Sequence, residues 1–135
     1  MANPSSFQVG TLSGCRLVEV SWPPRRGQAE LRDFVFALYD LWDSELDVPT
    51  VALNDLRAVE SITPDEFEIM CIILARMRVQ PSFVAGAFYI GENDAVKSTV
   101  ARALEAAKRP VNSICGSRAE AIEYLRSAIA QRMPD

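Results

Sequence analysis

Residues 49–67 read PTVALNDLRAVESITPDEF, and this stretch joins two elements of different periodicity. PTVALNDL is short and apolar, with few charges at its centre, the pattern of a strand buried on both faces. TPDEF is a helix start: Thr63 suits the N-cap, Pro64 the first helical position, and Glu66 completes a capping box. Strand, short link and capped helix follow one another without a long loop, which is the grammar of an α/β domain.

Outward from this stretch the alternation continues. FQVGTL and CRLVEVSW, separated by Ser13-Gly14, predict an antiparallel hairpin that ends at Pro23-Pro24. From Gln28 to Asp43, Leu31, Phe34, Val35, Leu38, Leu41 and Trp42 recur at helical spacing. The capped helix runs from Pro64 to about Arg78, SFVAGAFYI predicts a third apolar strand, and a helix spans about Asp94 to Lys108. Pro110 stops it, VNSICG reads as the last strand, and Ser117 with Glu120 opens a terminal helix to about Arg132. The expected fold is a single α/β domain over residues 1–135, ordered over about 7–130. Its order is β-β-α-β-α-β-α-β-α: a mainly parallel sheet of about five strands with an antiparallel edge strand.

Composition narrows the chemistry. The 135 residues carry a net charge of −4, which disfavours non-specific binding to nucleic acid or anionic membrane. No apolar run reaches the roughly 20 residues a membrane span needs, and the N-terminus MANPSSFQVG has no signal-peptide pattern. Three scattered cysteines argue against a disulfide scaffold and for a reducing cytoplasm. There is no histidine, so Ser-His and Cys-His nucleophile pairs cannot be built and a conventional zinc site is disfavoured. The expectation is a non-enzyme without cofactor or metal. An enzyme working through paired carboxylates, Asp55 and Glu60, is the catalytic alternative.

GENDAVKS (91–98) approaches the phosphate-binding pattern G-x-x-x-x-G-K-S/T, but Val96 replaces the second glycine and crowds any nest of backbone amides. Glu92 and Asp94 would set carboxylates where phosphates belong, at a cost of about 1 kcal/mol or more. Every residue fits a helix start instead, with Asp94 at the positive end of the dipole and Val96, Val100 and Leu104 as the buried stripe. Its place beyond a parallel strand still makes Gly91, Asn93, Lys97 and Ser98 a candidate ligand loop.

VALNDLRAVESITPDEFEIM (51–70), a strand ending in Asp-Leu followed by a polar turn into a helix, resembles the STAS superfamily, the domain of anti-sigma-factor antagonists. FVAGAFYIGENDAVKSTVARALE (83–105) and VNSICGSRAEAIEYLRSAI (111–129), with Ala121 and Leu125 in the final helix, resemble its divergent SpoIIAA-like branch. The resemblance covers about residues 7–130. It implies a bacterial, cytoplasmic, non-catalytic signalling domain whose partner is a protein, such as a regulatory kinase or an anti-sigma-like protein. It also implies a phosphorylatable serine in an Asp-Ser-Ser/Thr-Gly turn. The matching stretch here is SITPDE, where Thr63 falls near the aspartate and Pro64 near the serine, and the glycine is missing. Ser61 and Thr63 remain as nearby hydroxyls, and with Asp55 and Arg57 they form the expected partner-contact site.

Three further features bear on partners. Residues 40–68 hold nine acids against Arg57 alone, whereas residues 69–135 hold nine bases against six acids, either a solvated edge or a docking surface. In PDEFEIMCIILARMR, Ile69, Ile72 and Ile73 widen the apolar arc beyond one face. They either fill a deep cleft between helices or form a self-association patch in a homodimer, a question Phe36 and Tyr39 raise as well. Arg25 and Arg26 in PPRRGQ either hold an anion at a helix start or serve solubility.

Overall fold

The computed structural model describes residues 7–23, 28–44 and 47–132. Arg25, Arg26 and the termini expected to fray (1–5 and 133–135) lie outside the described residues. The elements are β1 (Phe7–Leu12), β2 (Cys15–Ser21), α1 (Gln28–Asp43), β3 (Thr50–Asp55), α2 (Pro64–Arg78), β4 (Phe83–Tyr89), α3 (Asp94–Ala106), β5 (Ile114–Cys115) and α4 (Arg118–Arg132). Ser13 and Gly14 both adopt positive φ (49° and 87°), the pairing that lets a two-residue turn follow strand twist, and β1 pairs antiparallel with β2. All other pairings are parallel, and the five strands lie side by side in chain order, β1-β2-β3-β4-β5.

That order decides the layering. Each parallel crossover steps one strand in the same direction, so crossovers of one hand place their helices on one face. Accordingly Phe34 and Trp42 of α1, Met70 and Ile73 of α2, and Val100 and Leu104 of α3 share one core with Val18, Val20 and Phe88. Among the described residues the opposite face is covered by α4, whose Ala121, Leu125 and Ile129 pack on Leu17, Val51, Leu53, Ala85 and Ala87. The small side chains of Ala85 and Ala87 let α4 approach β4 closely. Towards β1 and β2 this second face turns polar, with Gln8 exposed and Glu19 half-buried.

Two boundaries differ from the sequence reading. α3 ends at Ala106 and not at Lys108, because Lys108 turns left-handed (φ 59°). The Lys108 and Arg109 amides then reach back to the Glu105 and Leu104 carbonyls at 3.1 and 2.8 Å, a Schellman cap. Of VNSICG, only Ile114 and Cys115 pair with β4. Val111–Ser113 coil into a 3-10 turn, held where the Ser113 hydroxyl donates to the Pro110 carbonyl at 2.7 Å. Among the described residues no strand therefore pairs with the outer edge of β4 over Phe83–Ala87.

Arg16, buried at the start of β2, fastens α1 to the sheet. Its Nε donates to Thr50 Oγ1 (3.0 Å), and its Nη1 and Nη2 donate to the Leu41 and Trp42 carbonyls (3.4 and 3.1 Å). Those carbonyls belong to the last turn of α1, where helix geometry leaves carbonyls in need of outside donors and favours a cation, and the Ser44 hydroxyl also donates to Leu41 at 2.6 Å. The Trp42 indole N–H in turn donates to Ser82 Oγ at 3.0 Å. Replacing Arg16 by Met keeps the stem but removes the donor to the Trp42 carbonyl and to Thr50 Oγ1, while the Leu41 carbonyl keeps the Ser44 hydroxyl. The variant is expected to lower unfolding free energy by about 2 kcal/mol. Urea denaturation checks this; a loss below about 1 kcal/mol would mean that water takes over these contacts.

Candidate functional site

At the carboxyl ends of the parallel strands, the sheet register sets Ser21, Asp55, Tyr89 and Cys115 abreast on the α4 side. Gln8, Glu19, Ser21, Asp55, Arg57, Tyr89 and Arg118 line a cleft of about 150 Å³ there. Beneath it the buried Asn54 is satisfied, accepting from the Trp22 indole at 3.2 Å and donating to the Ala87 carbonyl at 3.3 Å. This locks β2, β3 and β4 together below the cleft.

The centre of the cleft is a clamp around Arg57. Asp55 Oδ1 accepts from the Arg57 amide (3.0 Å) and Nε (3.1 Å), while Oδ2 accepts from Nη2 (2.8 Å). The guanidinium lies 4.5 Å from the centre of the Tyr89 ring. A Cβ added at Gly91 would lie 4.0 Å from Arg57 Cγ, an ordinary contact distance, so Gly91 borders the arginine stem and crowding does not decide its identity. Hydrogen bonds from Arg57 hold the Asp55 carboxyl below its ordinary range against a smaller opposing effect of burial, and Asp55 raises Arg57 in return. The Arg57 side chain nevertheless stays 55 % exposed. A second pair closes the side of the cleft: Arg118, at the start of α4, donates through Nε to Glu19 Oε1 at 3.1 Å, and through Nη2 to the same oxygen.

The neighbouring loops are built by caps. Thr63 N-caps α2 with the full capping box: its hydroxyl accepts from the Glu66 amide (3.2 Å) and its own amide donates to Glu66 Oε1 (2.9 Å). Ser61 is exposed one turn of chain earlier. Asn93 N-caps α3 through Val96 N (3.1 Å) and donates to the Glu60 carbonyl (2.9 Å), latching the two strand-end loops together. At the start of α4, Ser117 caps the Glu120 amide as expected, but the Glu120 carboxylate takes the Gly116 amide and not that of Ser117.

The structure thus brings Asp55, Arg57 and Gly91 together and sets Ser61, Thr63 and Asn93 in the adjoining loops. Lys97 and Ser98 sit in the first turns of α3 and do not line the cleft, and Val96 is buried at 1 % exposure, so no amide nest forms. Glu60 does not line it either. Of the three isoleucines, Ile73 is in the core, Ile69 is half-buried, and only Ile72 (64 % exposed) faces solvent. Sequence reasoning missed Glu19, Tyr89 and Arg118. Glu19 does leave a trace, because it interrupts the apolar alternation of CRLVEVSW on the Leu17–Ser21 face.

The ionisable groups of the cleft are paired with one another. Burial pushes the thiols of Cys15, Cys71 and Cys115 up, away from the thiolate a nucleophile needs. Among the described residues no three Cys, Asp or Glu side chains gather as a metal site, and no helix is long and apolar enough to cross a membrane. Compared with family models, curated proteins and solved structures, the chain matches none.

Two measurements check this geometry. Thr63→Ala removes one side of the capping box and is expected to lower stability by about 1 kcal/mol in urea denaturation. In an NMR titration, Asp55 is expected to protonate below the ordinary aspartate value of about 3.9 and to return toward it in Arg57→Ala. Because its folded pKa is depressed, the pair contributes stability above the unfolded value and loses it as pH falls through the folded one.

Proposed function

We propose that this chain is a non-catalytic regulatory domain that binds a protein partner through the carboxyl-end cleft, with Arg57 and Tyr89 as anchors. The observation that carries this reading is the clamp itself. An exposed guanidinium is normally mobile, but here Asp55 and the Tyr89 ring fix it in one orientation before any partner arrives. Arginine and tyrosine are the residues most often found as interface hot spots, and prior ordering reduces the entropy lost on association. A cleft of about 150 Å³ is smaller than the roughly 300–1,000 Å³ of sites that enclose a small ligand, which favours contact over enclosure.

The same surface agrees with the STAS-like reading of the sequence, in which the turn after the central strand meets the partner. Thr63 acts there as a helix cap, so the contact we propose is constitutive and rests on Asp55 and Arg57, with Ser61 at its margin. All three cysteines are free thiols.

Affinity capture from the source cells, followed by titration of the recovered partner, tests the reading. Arg57→Ala is expected to weaken that partner by about 30-fold, as for a hot spot of about 2 kcal/mol. Arg126→Ala, which removes only an exposed pair with Glu123 on α4, is expected to leave it unchanged. Equal binding by wild type and Arg57→Ala would overturn the proposal.

A further inference from the structure

At the opposite ends of the strands, the unpaired outer edge of β4 and α4 enclose a groove of about 430 Å³. Its charged lining is Arg78, Lys108, Arg109 and Arg132, with no carboxylate among the described residues that form it. Asp47 enters only the adjoining hollow beyond Arg132. Four cations with no carboxylate among the described lining residues are unexpected on a chain of net charge −4.

Arg109 is the unusual member. It occupies the position after the left-handed Lys108 in the Schellman cap of α3, where an apolar residue would ordinarily pack into the core. At 8 % exposure it lies between the Phe83 and Phe88 rings, 4.8 and 5.6 Å from their centres. Nη2 occupies the space a Cβ at Gly86 would need. Nη1 donates to the Leu74 carbonyl at 3.4 Å. Nε and Nη2 donate to no protein atom. No fully buried nitrogen among the described residues lacks a partner, so both keep some accessible surface, and Arg109 lines the groove as well as a small cavity of about 20 Å³ beneath α2. Desolvation pulls the guanidinium down to about 10, so it remains charged at neutral pH. Burying an arginine without a carboxylate is costly, and the aromatic faces offset only part of it.

We propose that this groove binds a small phosphorylated molecule, its phosphate group seated on Arg109 and flanked by Arg78, Lys108 and Arg132. A phosphate monoester carries close to two negative charges at neutral pH, and its oxygens match the guanidinium fork. The Tyr124 hydroxyl and Gln131 line the same groove as polar contacts for the rest of the molecule. The recessed seat favours a free small molecule over a lipid surface. This site does not rest on the partner-binding reading, because Arg57 lies at the other pole.

The probe is glycerol phosphate, with chloride at equal ionic strength as control. Wild type is expected to gain about 3 °C or more in Tm at saturation and to show amide shifts at Gly86 and Lys108 in NMR spectra. The double variant Arg78→Gln with Arg132→Gln alters exposed groups and is expected to bind about tenfold more weakly or worse. Arg109→Met is expected to lose the response; should it fail to fold, the double variant decides. No gain beyond chloride, or an unchanged response in the double variant, would overturn the site. Binding to phosphatidylcholine vesicles containing phosphatidic acid, without any response to glycerol phosphate, would overturn the small-molecule assignment.

Discussion

Every parallel connection in this protein steps the chain by one strand in the same direction, and the rest of the structure follows from that constraint. Crossovers of one hand put α1, α2 and α3 on a single face and leave the other to α4. A single helix cannot cover five strands. It settles on β4, where Ala85 and Ala87 allow close approach, and the far side of that face is left to polar side chains. The cleft around Arg57 and the groove beside Arg109 lie at opposite ends of this incompletely covered face.

The elements themselves were legible because their signals are local. Thr63, Pro64 and Glu66 mark the start of α2 within four residues, and the two-residue turn at Ser13-Gly14 defines the hairpin. The last strand was overread because VNSIC has a strand's composition, yet the Ser113–Pro110 bond and the Schellman cap divert the chain before it can pair. Strand length depends on where the neighbouring edge runs, and a window of sequence does not contain that edge. Likewise Ile72 and Ile73 are adjacent and chemically alike, and only the rotation of α2 against its neighbours separates solvent from core.

The site divides in the same way. Asp55 and Arg57 were visible because they follow a strand directly and are close enough in sequence to pair. Tyr89 and Arg118 join them only through register and through the return of α4 across the sheet, 34 and 63 residues beyond Asp55. The arginines show how far environment overrides residue type. Arg16 satisfies helix carbonyls, Arg57 pairs with a carboxylate and stays in solvent, and Arg109 rests between aromatic rings. Net charge describes none of these three situations.

The two tryptophans of the chain fall one to each pole. Trp22 bonds Asn54 beneath the carboxyl-end cleft, while Trp42 bonds Ser82 and packs 6.0 Å from Phe83, a residue of the basic groove. Both indoles are buried and hydrogen-bonded, and both line one small cavity in the core under α1 and α2. Single Trp→Phe variants would separate their emission, so that the packing of this shared core can be followed optically, without labelling, from either end of the sheet.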